Sequence, residues 1–171
     1  MKELKFRALT EDEIEVRVAQ VKENGCQLLL YKDARCDMNI LDEVVGPYNW
    51  QRIHSRDNAN CTVSIWDEDK KQWISKEDTG TESFTEKEKG LASDSFKRAC
   101  FNLGIGRELY TAPFIWIPAK NCNIKPKGNG FTTYDRFRVE KILTVDGKIK
   151  GLSIVNDTMK VRAFCKKPDD K

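Results

Sequence analysis

Histidine is nearly missing from this 171-residue chain, where His54 is the single example. No CxxC pair occurs among Cys26, Cys36, Cys61, Cys100, Cys122 and Cys165, so a four-ligand zinc site would need an unusual arrangement. Reduced, mostly buried cysteines in a cytoplasmic compartment are the simpler reading. No apolar run approaches the ~20 residues of a membrane span. The opening MKELKFRALTEDEIEV also lacks the apolar core of a signal peptide. Catalytic signatures are missing too: there is no GxxxxGK(S/T), no GxSxG and no HExxH. The GIGR stretch carries only part of a dinucleotide-binding glycine pattern and does not open a helix after a strand. His54 stands between Arg52 and Arg56 in an expected strand, and is read as a surface or sheet histidine rather than a general base. No enzymatic activity, cofactor or metal is expected.

What is present fits one soluble domain able to bury a core. Hydrophobic residues make up 39% and charged residues 33%, which argues against wholesale disorder. The net charge of +3 permits a nucleic-acid partner without requiring one, because binding depends on where cations cluster.

Along the chain, Thr10 and Glu13 fit a capping box. Ile14, Val18 and Val21 then recur at helical spacing, predicting a helix to about Lys22. CQLLLYKD reads as a strand. ARCDMNILDEVVG reads as a helix with Met38, Leu41 and Val45 on one face, ended by Gly46-Pro47. YNWQRIHSRDN is a further strand, and NCTVSIW and QWISKED form a hairpin around DEDKK. The acidic Asp67-Glu68-Asp69 is taken as a solvated hairpin tip rather than a metal site. A long helix is expected from about Thr85 to Gly104, with Ala92, Phe96, Ala99 and Leu103 as its buried stripe. AKNCNIKPKGNGFTTY looks like an exposed loop or linker. DRFRVEKILTVDGKIKGLSIVND looks like a second hairpin turning at Asp146-Gly147, and CKKPDDK like a frayed tail. The pattern is α+β: an antiparallel β-β-β sheet with a long helix packed across it, plus a C-terminal hairpin at about 131–156.

The long helix carries the most informative charges. Lys89, Ser93 and Lys97 share a face, and Arg98 lies four residues after Asp94. Either Arg98 pairs with Asp94 while Lys97 points to solvent, or the Lys97-Arg98 pair meets an anion from outside.

The stretch DTGTESFTEKEKGLASDSFKRACFNLGIGRELY resembles the helix signature of the Rad fifty-two/twenty-two family of single-strand annealing proteins. The phage and bacterial branch of that family carries a similar Asp-x-x-Lys-Arg-Ala core followed by Gly-x-Gly-Arg-x-Leu-Tyr. Upstream, ARCDMNILDEVVGPYNWQ is similar to the family's arginine-bearing helix and the turn that follows it into the sheet. The likeness covers about Leu28 to Pro118. It implies a β-β-β-α unit assembling into homo-oligomeric rings or helical filaments, with single-stranded DNA held in a basic groove between sheet and helix. Annealing would be ATP-independent and would serve homologous recombination and break repair; a DNA-end protector without annealing activity is the alternative. Carried over by position, Lys97 and Arg98 become the phosphate-binding pair and Arg35 the upstream groove arginine. Eukaryotic members have another cation three residues after the pair's arginine. Phe101 stands there instead, so charge would come from Arg107, Arg52 or Arg56, with Lys89 on the helix face beside Lys97. A phage exonuclease or a host single-strand binding protein is an implied partner, and no membrane is involved. Annealing requires strands held by their backbones, and a row of Lys and Arg on a rigid helix suits that. Tyr48, Trp50, Trp66 and Trp73 are candidate stacking platforms, although core or subunit packing is the preferred reading for them.

Overall fold

The computed structural model describes residues 4–81 and 87–168, with side chains described for all of these except 87–89. It is α+β, with two α-helices and antiparallel strand pairing among the described residues. Contacts divide it into two compact units, one of residues 1–7 and 33–107 and the other of residues 8–32 and 108–171. The segment of family likeness, 28–118, therefore contributes to both.

In the first unit, α1 (Ala34–Val45) starts at Asp33, whose carboxylate caps the helix by accepting the Arg35 N–H. It stops at Gly46, whose φ of +85° suits glycine, and Asn49 Nδ2 donates to the otherwise orphaned Val45 carbonyl. The buried face is Cys36, Asp37, Ile40 and Leu41, a rotation from the expected Met38–Leu41–Val45 stripe. The cause is two-sided packing: α1 lies against both α2 (Lys87–Leu103) and β3 (Trp50–Ser55), so the face between them is buried and Met38 and Val45 become its flanks.

Strands β1 (Ile14–Lys22) and β2 (Gly25–Lys32) belong to the second unit. Here β3 (Trp50–Ser55), β4 (Asn60–Asp67) and β5 (Gln72–Thr79) form a three-stranded antiparallel sheet in the order β3-β4-β5. The register puts Trp50, Arg52 and His54 opposite Ile65, Val63 and Cys61 on one face. α2 (Lys87–Leu103) covers that face, burying Phe96, Ala99 and Cys100 against β4 and β5. Ala92 and Leu103, the ends of the expected stripe, are only half-buried, and Thr85 lies outside the described residues. The acidic run is a hairpin tip: Asp67 Oδ1 accepts the Asp69 and Lys70 N–H groups, and Lys71 at φ +52° completes the turn.

The second unit corrects the sequence reading most. The Thr10–Glu13 capping box is present, but it opens a single 3-10 turn at Glu11–Glu13 rather than a helix. Strand β1 (Ile14–Lys22) follows, paired with β2 (Gly25–Lys32). Ile14, Val16 and Val18 alternate, and a register shift between Val18 and Gln20 carries the next valine to position 21. That one-residue shift mimicked helical spacing. The remaining strands are β6 (Ile115–Pro118), β7 (Lys125–Lys127), β8 (Gly130–Thr132), β9 (Phe137–Val145), β10 (Lys148–Asn156) and β11 (Val161–Lys166). β9 and β10 turn at Asp146-Gly147, where φ is +50° and +69°. They form the middle of a six-stranded sheet ordered β11-β10-β9-β1-β2-β6 rather than an appended hairpin. The expected linker contains the small β7–β8 sheet, and the expected tail begins inside β11. The sheet curls until its edges, β6 and β11, touch. Leu28, Ile115, Ile117, Leu152 and Ile154 fill its interior.

All six cysteines are free thiols, and all but Cys165 are buried. Cys26 and Cys122 lie with their sulfurs 3.9 Å apart; burial, then the neighbouring thiol, pushes the Cys26 thiol up to about 12. No group of three or more His, Cys, Asp or Glu gathers in metal-binding array among the described residues. No described helix is long and apolar enough to cross a membrane.

In the first unit the chain at Gly80 passes close against the backbone of α2. A Cβ there would lie 2.6 Å from Ser95 N, 2.8 Å from Leu91 O and 3.0 Å from Ser95 Cα, all rigid helix backbone. Gly80→Ala is therefore expected to destabilise the protein by about 1–3 kcal/mol. Denaturant unfolding measures it, and a neutral substitution contradicts the seating of α2.

Candidate nucleic-acid interface

The site is built at residues 94–98 of α2. Asp94 Oδ2 accepts three bonds: Thr81 N–H at 2.8 Å, Thr81 Oγ1 at 3.1 Å and Arg98 Nε at 2.8 Å. Burial raises the pKa of Asp94, but the Arg98 and Thr81 hydrogen bonds outweigh it and hold the carboxyl below its ordinary 3.8. The local pair weighed for this helix is thus formed, with the Arg98 side chain still 39% exposed. One residue on, Ser95 is fully buried; its Oγ donates to the Asn58 carbonyl at 3.0 Å and faces His54 Nδ1 at 3.4 Å. Burial, and secondarily Arg52, lowers the His54 pKa, in keeping with its place in the sheet under α2.

Phe96 stacks on Trp50, with ring centroids 6.1 Å apart, and the Arg52 guanidinium lies 4.6 Å from the Phe96 ring centroid. Trp50 Nε1 donates to Asp42 Oδ1 of α1 at 2.7 Å, tying α1 to β3. This stack joins both helices to the edge strand. The signal for it was Trp50, Arg52 and His54 alternating on one strand face, which puts them in one row beneath a helix. Trp50 is accordingly a packing residue. Tyr48 lies outside the core of the chain, 94% exposed. Trp66 and Trp73 meet edge to face, 5.5 Å apart, on the sheet face away from α2.

The candidate cations fall into separate places. Arg35 extends from the first turn of α1 with its side chain 81% exposed, Nη2 resting 2.9 Å from Asp33 Oδ2. The Arg35 hydrogen bonds are the main cause of a lowered Asp33 pKa, and the Lys97 charge also lowers it, so Lys97 and the N-terminus of α1 are electrostatic neighbours. Arg52 is held at Phe96, on the α2 side of the sheet. Arg56 sits in the β3–β4 turn, in the left-handed region with Asp57 and Asn58, and its charge is felt at Glu77 on the opposite face. Arg107 donates to the Phe101 carbonyl at 2.8 and 3.0 Å and to the Asn102 carbonyl at 3.1 Å. That makes Arg107 the C-terminal cap of α2, satisfying carbonyls that the helix itself cannot. Lys89 lies in α2, with its side chain outside the described set.

Because the folded-state pKa of Asp94 is depressed, its ionised form contributes stability above the ordinary value of 3.8. That contribution falls away as pH drops through the lower folded value. Asp94→Asn is therefore expected to destabilise the protein at neutral pH and to flatten this acid limb. Melting curves from pH 6 down to about 2 check it, and a limb unchanged by the substitution refutes the assignment.

No protein-family model, curated protein or solved structure matches this chain.

Proposed function

We propose that the first unit binds single-stranded DNA by its backbone along the α1–α2 face and anneals complementary strands without ATP. In this reading Lys97 and Arg35 contact phosphates, and Arg98 contributes the exposed part of a guanidinium whose orientation Asp94 sets. Arg52, on its Phe96 seat, extends the cationic line along β3. The observation that carries the reading is the packing of α1 against α2, which brings together two sequence motifs about 60 residues apart; the Lys97 charge, the smallest of the influences on Asp33, agrees with it. The resemblance to the Rad fifty-two/twenty-two family supports the same assignment, including assembly into rings or filaments of this chain.

The chemistry suits annealing. Helix-borne cations bind phosphates regardless of sequence and leave base edges available for pairing. Cation density here is local, since residues 1–7 and 33–107 together hold 14 Lys and Arg against 15 Asp and Glu. Binding then depends on a few positioned side chains rather than on a broad positive field, so single substitutions should have large effects.

Lys97→Ala and Arg35→Ala are each expected to weaken binding to oligothymidylate several-fold. Each should also reduce the slope of log affinity against log salt by about 0.7, the share of one single-strand phosphate contact. Stability should move by no more than about 0.5 kcal/mol for exposed Arg35 and no more than about 1 kcal/mol for half-buried Lys97. Gel shifts at several salt concentrations, paired with melting curves, measure both quantities. Unchanged binding in both variants removes this face as the interface. Annealing of two complementary oligonucleotides then separates an annealing protein from one that only coats strands. Light scattering with and without DNA tests self-assembly, and a monomer under both conditions contradicts the ring or filament.

A further inference from the structure

A surface notch of about 260 Å³ lies in the second unit where β9, β10 and β11 run side by side. Its walls include Leu143, Gly151, Cys165 and Pro168. Gly151 creates the space: a Cβ there would stand 3.3 Å from Pro168 Cγ and 3.4 Å from Leu143 Cβ, so a side chain at this position fills the notch. Leu143 keeps 44% of its surface exposed beside it.

Three lysines, Lys141, Lys166 and Lys167, also line the notch. None of them forms an ion pair among the described residues. The nearby Glu140 carboxylate is engaged by Arg162 Nε at 2.7 Å. The surrounding stretch is the most basic in the chain, with twelve Lys and Arg against four Asp and Glu between residues 120 and 167.

We infer that this notch docks an acidic peptide segment of a partner protein, with one large apolar side chain entering the notch and flanking carboxylates meeting the three lysines. The apolar walls decide against a phosphate backbone, which needs hydrogen-bond donors where this surface has aliphatic carbon. The volume falls below the roughly 300–1,000 Å³ of small-molecule sites. An apolar anchor in a pocket with a polar rim is the arrangement by which small patches bind proteins. The lysines supply charge complementarity and steer an acidic segment toward the notch. Binding is weak and transient, because the patch is far smaller than a standard interface.

Cys165 makes the inference directly testable. It lines the notch and is exposed, whereas the other five cysteines are buried, so a maleimide reports on this surface first. The probe is a fluorescein-labelled peptide, Gly-Asp-Glu-Leu-Phe-Asp-Glu-Gly, followed by anisotropy on the full chain. Saturating peptide is expected to slow N-ethylmaleimide labelling of Cys165 at least fivefold. Replacing Leu and Phe by Ala in the peptide, or its acids by amides, should weaken binding at least tenfold. The double variant Lys141→Glu/Lys167→Glu, at two exposed positions, should do the same with an unchanged melt, and Gly151→Val should abolish binding by filling the notch. If Gly151→Val does not fold, the surface lysine variant still decides. Lys97→Ala should leave peptide binding unchanged, which separates this inference from the proposed DNA face. Peptide binding without protection of Cys165, or binding indifferent to the lysine variant, overturns it. So does protection by oligothymidylate in place of the peptide, which makes the notch a nucleic-acid site. Binding that appears only when the chain is cut after Pro168 overturns it as well, in favour of the chain's own acidic end.

Discussion

The first unit depends on how residues 94–96 of α2 seat against the ends of β3 and β5. Three neighbouring side chains act there in different ways. Asp94 gathers Thr81 and Arg98, buried Ser95 holds the Asn58 carbonyl of the β3–β4 turn, and Phe96 enters the stack with Trp50 and Arg52. The seat is possible because Gly80 presents no side chain to the passing helix backbone. A helix held so closely at one turn cannot rotate, and the direction of Lys97 follows from the burial of its neighbour Phe96. The cation's position is thus a consequence of packing.

The same seat sorts the arginines by task. Arg98 is oriented by a carboxylate that is itself held by a backbone N–H, and Arg107 is spent on helix carbonyls. Arg52 is fixed over an aromatic ring, and Arg56 lies in a turn whose field reaches the other sheet face. Adjacent or similar residues in the sequence therefore have unequal access to an external anion. Charge totals show the same partition on a larger scale, because the positive balance of the chain resides in residues 120–167 rather than in the α1–α2 unit. A chain with a net charge of only +3 can thereby present two surfaces of different chemistry: positioned cations around helices, and a lysine rim around apolar sheet residues.

Local signals located most of the secondary structure. Gly46-Pro47 ends α1, Asp146-Gly147 makes the β9–β10 turn, and β3, β4 and β5 fall where β-rich runs alternate with turn residues. These features act through backbone preferences of a few residues, so they are legible without the rest of the chain. The failures have a common cause. Ile14–Lys22 looked helical because a register shift in a strand reproduced a three-residue spacing. The β7–β8 pair was hidden by its Gly, Pro and Lys content, and β11 by its nearness to a charged end. In each case the strand is specified by its partner in the sheet, and pairing over long sequence distance leaves little local trace.

The candidate site divides in the same way. From the sequence alone, Asp94 and Arg98 could be placed within reach on one helix turn, and Lys97 and Arg35 could be named, because helix geometry and motif order need no tertiary contact. Only the folded structure decided that Asp94 also holds Thr81, that Arg107 caps α2, and that Arg52 rests on Phe96. It alone brought Gly151, Cys165 and three lysines around one notch. The physical reason is range: caps, turns and helix faces are set by neighbours a few residues away, whereas burial and charge pairing between strands and helices exist only once distant segments have packed.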